Sequence, residues 1–285
     1  MQDDFSTETF WKDFASYKKD FIPEDFSIDK VHVFDSIDST NSELLRRLEN
    51  AGDFFDKRKY DKMLVAAKSQ SAGRGRIGRR FYSPDKAGIY FSLIHVPKTQ
   101  ELNPAKITAA AAVSVSRAIE NVFGVATKIK WVNDIYVGEK KVCGILAEGF
   151  CDKNGIVPCV VVGIGINIAM KKNADENLGK AGGIFDSCEN PEEHRSKLLA
   201  ACTKEFFYVL ENDEKFIDEY RAKSFLTGKN VTVSPLAGTK DGAYTAKVLD
   251  ITDSAELLVQ LDDGTKKELS QRVSTISLYR ARLCL

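Results

Sequence analysis

Residues 68–82 read KSQSAGRGRIGRRFY, with Arg74, Arg76, Arg79 and Arg80 inside seven positions threaded by Gly73, Gly75 and Gly78. Guanidinium groups match the paired oxygens of phosphates and carboxylates. Four like charges this close repel one another, and the glycines raise the entropic cost of ordering them. Such a loop is expected to be mobile until an anion neutralises it. Two other readings stay open: a solvated basic surface loop, and a contact for single-stranded nucleic acid, which no wider basic field supports. Read literally, GRGRIG fits G-x-G-x-x-G, but a dinucleotide site needs a helix next to hold the pyrophosphate. The next residues are RRFYSPDKAG, whose Ser-Pro and glycine do not make one. A kinase glycine loop fails too, because the chain has neither HRD nor DFG further on.

Three further stretches carry groups suited to a ligand. In Lys130-Trp131-Val132-Asn133-Asp134, followed by Lys141 and Gly144, an extended strand would put Lys130, Val132 and Asp134 on one face and Trp131 and Asn133 on the other. A lysine, an amide and an acid at a strand end suit phosphate, an adenine edge, and a metal or amine. Ordinary polar residues on an edge strand are the plainer reading. GIGIN (163–167) ends an apolar run, where glycines allow close approach of a ligand or another backbone and Asn167 offers a hydrogen bond. Asp38-Ser39-Thr40-Asn41 reads first as a helix N-cap, whose free N–H groups can also hold an anionic or polar group.

The elements that must position these groups follow from periodicity and punctuation. Aromatic residues Phe10, Phe14, Tyr17 and Phe21 predict an amphipathic helix over 8–21. Strands are predicted at 31–37, 63–69 and 88–96. A helix follows DSTN, with a capping box from Thr40 to Glu43 and a stop at Gly52. Another runs from the Asn103 cap and Pro104 to Gly124. Segments 127–137 and 140–150 read as a hairpin across Gly138-Glu139, 158–170 as a buried strand, and 191–223 as two helices. From about 226 come short strands with an Asp263-Gly264 turn, predicting a small β-barrel appended to an α+β body.

Composition bounds the rest. The 285 residues are 43% hydrophobic and 29% charged, with 41 basic and 41 acidic side chains. That balance speaks against a general nucleic-acid or membrane binder, so the positive charge is local and marks a site. No basic n-region with an apolar run opens the chain, and no stretch approaches bilayer length. Six scattered cysteines without a CxxC pair suggest buried free thiols in a reducing cytosol rather than disulfides or a zinc site. The expectation is a soluble cytoplasmic protein.

In their order and spacing, DSTN (38–41), Gln70 with GRGRIGR (73–79), KWVND (130–134), KVCGIL (141–146) and GIGIN (163–167) resemble the biotin–protein ligases. These enzymes form biotinyl-AMP and pass biotin to a lysine of a carrier domain. The resemblance spans roughly residues 30–285. It implies an α+β fold: a mixed β-sheet packed with helices, like class II aminoacyl-tRNA synthetases, plus a small C-terminal SH3-like β-barrel. The corresponding division is an N-terminal helical extension (1–29), a catalytic domain (30–225) and the barrel (226–285).

The resemblance also implies site roles. Ser39, Thr40, Asn41 and Gln70 would meet the ureido end of biotin, and backbone at Gly144 and Gly165 would border it. Arg74, Gly75 and Arg76 would close over the adenylate, with Arg79 and Phe81 on the nucleotide. Lys130, Asn133, Asp134 and Asn167 would line the ATP side, and Lys141 would reach the biotin carboxylate and the α-phosphate. Arg76, Lys141 and Asp134 carry the chemistry, with no protein metal ligand and with Mg²⁺ brought by ATP. Two positions depart from the family pattern: Phe81 stands where tryptophan is common, and Val132 where proline is. The implied partner is a biotin carboxyl carrier domain, with a homodimer open. The roughly 30 residues before the first motif are too few for a winged helix, so no DNA binding is expected. The competing readings are a lipoate–protein ligase, whose arginine-glycine pattern is absent, a single-stranded nucleic-acid-binding module, and a catalytically idle interaction protein.

Overall fold

The computed structural model describes residues 5–52, 55–98, 103–153, 155–170, 180–235, 242–270 and 275–278. The chain begins with α1 (Thr7–Ser16), then β1 (Val31–Ile37), α2 (Thr40–Ala51), α3 (Lys57–Tyr60), β2 (Leu64–Gln70) and β3 (Gly88–His95). After α4 (Pro104–Phe123) come β4 (Lys128–Lys130), β5 (Asp134–Val137), β6 (Lys140–Phe150) and β7 (Cys159–Asn167). Helices α5 (Arg195–Asn212) and α6 (Phe216–Lys223) lead to β8 (Asn230–Ser234), β9 (Tyr244–Ile251), β10 (Leu257–Gln260), β11 (Lys266–Leu269) and β12 (Thr275–Leu278).

Seven strands form one mixed sheet in the order β1-β2-β3-β7-β6-β5-β4. Only β1 and β2 run parallel, joined through α2. Strand alternation buries both faces. Leu64 and Ala66 of β2 enter the large core beneath α4 and α5, while Val65 enters a smaller one with Leu44 and Leu48 of α2. Helix α4 carries thirteen buried residues, many of them alanine, as expected for a helix enclosed between the sheet and α5. Its ends follow the sequence signals: Asn103 Oδ1 accepts from the Ala105 and Lys106 amides, and Gly124 takes the left-handed conformation at φ 68°. The C-terminal strands form an antiparallel sheet, order β11-β10-β9-β8-β12, whose buried residues join the large core.

Three local expectations are corrected. Helix α1 stops at Ser16, because Tyr17 is already extended at ψ 131° and its hydroxyl bonds Glu205 of α5. The cap of α2 is Ser39, whose Oγ accepts from the Ser42 amide, which leaves Thr40 in the first turn with its hydroxyl free for other partners. Segment 127–137 is two strands, β4 and β5, folded back antiparallel about 131–133. Among the described residues Cys143, Cys159 and Cys202 are buried free thiols, whereas Cys151 is exposed and Cys188 half-buried; Cys284 lies outside them. No described helix is long and apolar enough to cross a membrane.

Candidate active site

The α2 side of the sheet holds a pocket whose floor is made by glycine. Across β3, β7 and β6, Ser92 pairs with Gly163, and Tyr90 and Gly144 both pair with Gly165. A methyl group on Gly163 would lie 2.0 Å from Asn41 Oδ1, and one on Gly165 would lie 2.4 Å from Phe81 Cε1. The missing side chains are what let α2 and the arginine loop reach the sheet here.

One end of the pocket is built on uncharged polar side chains, backed by the Arg74–Glu148 ion pair. The Thr40 amide and hydroxyl both donate to Gln70 Oε1, at 2.8 and 3.2 Å. The Gln70 amide in turn donates to Ser83 Oγ at 2.9 Å. Ser92 Oγ stands 2.7 Å from Thr40 Oγ1 and 2.5 Å from Asn41 Oδ1. Asn41 Nδ2 donates to Glu148 Oε2 at 2.8 Å.

The other end is cationic. Lys130 and Asp134 face each other across β4 and β5, so they do share a face, but by cross-strand pairing rather than by spacing along one strand. The intervening turn is pinned from outside. Trp131 Nε1 donates to the carbonyl of Ala255, in the turn between β9 and β10, and the Tyr220 hydroxyl of α6 to the Val132 carbonyl. Asn133 exchanges hydrogen bonds with the backbone of Ile145 on β6, and its Oδ1 accepts from Arg76 at 3.2 Å. Lys141 Nζ pairs with Asp134 Oδ1 at 2.7 Å. Burial, chiefly, lowers the pKa of the Arg76 guanidinium and of the Lys130 ammonium; Asp134 opposes this, and Arg79 beside both adds to it. Cations crowded in this way gain when an anion arrives.

The arginine loop is more closed than its composition predicts. The Gly75 amide donates to the Arg79 carbonyl and the Phe81 amide to the Gly73 carbonyl, with Arg74 bridging Arg80. Repulsion is relieved by separate partners: Arg74 Nη2 meets Glu148 Oε1 at 2.6 Å, Arg80 the Ser71 carbonyl, and Arg76 Asn133. At the tip, Ile77 takes the left-handed conformation at φ 57°, which costs a side chain with a β-carbon about 1–2 kcal/mol.

The pocket lining brings together Ser39, Thr40, Asn41, Gln70, Arg74, Gly75, Arg76, Arg79, Phe81, Lys130, Asn133, Asp134, Lys141, Gly144 and Gly165. Asn167 alone of the sequence candidates is not on it; its Nδ2 donates to the Gly182 carbonyl at 3.3 Å. Sequence reasoning missed Ser92, Glu148 and Ile276, the last reaching the pocket from the C-terminal sheet. Among the described residues no group of three His, Cys, Asp or Glu side chains could hold a metal.

Comparison with known proteins bears on the family and the fold. The bifunctional ligase/repressor BirA of Bacillus subtilis is 30% identical over 213 residues, 72% of this chain; the chain spans 63% of that relative's length. A biotin–[acetyl-CoA-carboxylase] ligase of Mycobacterium tuberculosis is 28% identical over 80% of the chain and 82% of its own. The structure superposes on the biotin protein ligase of Aquifex aeolicus in complex with biotin and ATP at a TM-score of 0.67, with 25% identity, over 87% of this chain and 99% of that one. The family model of the biotin/lipoate A/B protein ligases matches residues 33–167, and this segment, which carries every motif of the pocket, belongs to that family.

Proposed function

We propose that the protein is an ATP-dependent biotin–protein ligase, forming biotinyl-5'-AMP and then transferring biotin to a lysine of a biotin carboxyl carrier domain. The observation that carries this reading is the two-ended pocket. From Gly163 to Asp134 the path runs two residues along β7 and two strands across, about 12 Å by ordinary sheet spacings. A neutral ring rich in hydrogen-bonding groups suits the Thr40–Asn41–Gln70 end. An apolar chain suits the glycine floor under Phe81, and a carboxylate meeting a triphosphate suits the cationic end. The solved relatives with biotin and ATP bound support the same assignment.

In the first step a carboxylate oxygen of biotin attacks the α-phosphorus, the α–β bridging P–O bond breaks, and pyrophosphate leaves. Two anions must approach, so Arg76 and Lys141 neutralise charge that grows between them. Lys130, Arg79 and Asn133 hold the nucleotide, Phe81 supplies an apolar face, and Mg²⁺ arrives on the phosphates. Closure of residues 73–81 keeps water from the mixed anhydride. In the second step a neutral lysine amine attacks the acyl carbon, the acyl C–O bond breaks, AMP leaves with its electron pair, and the amine gives up a proton to form the amide. Asp134 orients Lys141 through their ion pair and is the acid closest to the incoming amine. Asp134→Asn is expected to slow transfer from preformed biotinyl-AMP by at least tenfold; an unchanged rate of that transfer removes Asp134 from that step.

The deciding experiment is ATP–pyrophosphate exchange with biotin and lipoate in parallel. Biotin-dependent exchange is the expected result. Exchange with lipoate alone reassigns the substrate within the family, and none with either overturns the ligase reading.

A further inference from the structure

Glu148 belongs to none of the sequence motifs and does not line the pocket, yet two pocket residues meet on it. It lies on β6 opposite Val161, one inward-facing pair beyond Leu146 and Gly163. Its oxygens are divided between two elements: Oε1 accepts from Arg74 of the loop at 2.6 Å, and Oε2 from Asn41 of α2 at 2.8 Å. An asparagine amide can be turned end for end with little change of shape. Held by Ser92 at Oδ1 and by Glu148 at Nδ2, Asn41 keeps one sense and retains a second N–H for a ligand. The guanidinium of Arg74 likewise uses one nitrogen on Glu148 and keeps further donors.

We propose that Glu148 is a positioning residue for the ring end of the ligand. It fixes the sense of the Asn41 amide and anchors the arginine loop through Arg74 before any ligand arrives. This inference rests on the reading of that end as the biotin-ring subsite. A plain surface ion pair would contribute little and leave ligand affinity unmoved. Arg74 is 42% exposed and Glu148 23%, so what distinguishes Glu148 from such a pair is its second, more sheltered bond to the buried Asn41, which ties the loop to α2 through one carboxylate.

The test compares the full chain with Glu148→Gln, which keeps the shape and an acceptor but removes the charge, and with Glu148→Asp, which keeps the charge. Amide hydrogen exchange across 73–81 in the ligand-free protein is expected to accelerate about five- to tenfold in Glu148→Gln. The biotin KM in ATP–pyrophosphate exchange should rise by a similar factor with kcat within twofold, and Glu148→Asp should recover part of both. Unchanged hydrogen exchange in Glu148→Gln overturns the proposal, as does a fall in kcat at constant KM. If the wild type shows no biotin-dependent activity, the ligase reading fails separately, because the loop's hydrogen exchange reports on the anchor without any substrate.

Discussion

At Gly163 one added methyl group must displace the Asn41 amide, since the nearest atom is a side-chain oxygen rather than backbone. Strand β7 itself can accept alanine, whose lower backbone entropy cost offsets part of the crowding. Gly163→Ala is therefore expected to raise the biotin KM at least tenfold while urea unfolding shifts by no more than about 1 kcal/mol. A matching loss of stability would mean that the glycine serves the sheet and not the site. At this scale the gathering of the candidate residues was legible where they sat in compact motifs: all but one of the sixteen line one pocket. Glu148 was not legible. A single acid on an alternating strand has no spacing signature, and its partners lie 74 and 107 positions away. Asn167 is the opposite case: it sits inside a compact motif, but its amide turns to Gly182 and off the pocket lining.

Among the elements, those with their own punctuation were read well. The span of α4 follows from its asparagine cap, the proline behind it and the closing glycine, all local signals. The break of 127–137 into β4 and β5 was hidden, because what holds the turn is remote: Trp131 bonds Ala255, 124 residues away, and Tyr220 caps the Val132 carbonyl across 88. The role of α1 was equally unreadable in advance. Its Phe10 and Phe14 are buried in an aromatic cluster with Trp11 and Phe26, and Phe26 joins Phe207 of α5. The helix thus covers α5 on the side of the sheet opposite the pocket. Phe10→Ala should cost about 3–4 kcal/mol in urea denaturation. The biotin KM should stay unchanged, and a KM that moved with stability would place α1 in communication with the site.

For the molecule as a whole, the even balance of 41 basic and 41 acidic side chains conceals strong local asymmetry. The cations of the pocket are one case, and the half-buried end of β3 is another. His95 packs against Phe206 with its pKa pushed down to about 4, first by burial and then by Lys62 and Lys98, with Glu211 opposing. A histidine with a folded pKa below its unfolded value of 6.5 binds fewer protons when native, so its contribution is intact above pH 6.5 and is lost as pH falls toward 4. The shift corresponds to on the order of 3 kcal/mol of acid sensitivity in that window. Asp61 nearby works in the opposite sense, its carboxyl raised mainly by burial, so the wild-type curve alone does not isolate the histidine. The difference between wild type and His95→Gln does. Urea midpoints measured from pH 7 to 4.5 should fall less steeply in the variant, because glutamine does not titrate. Parallel curves would remove His95 as the source of acid sensitivity in this window; Asp38 beside Arg46 would not supply it either, because its pKa of about 2 puts its own loss at lower pH.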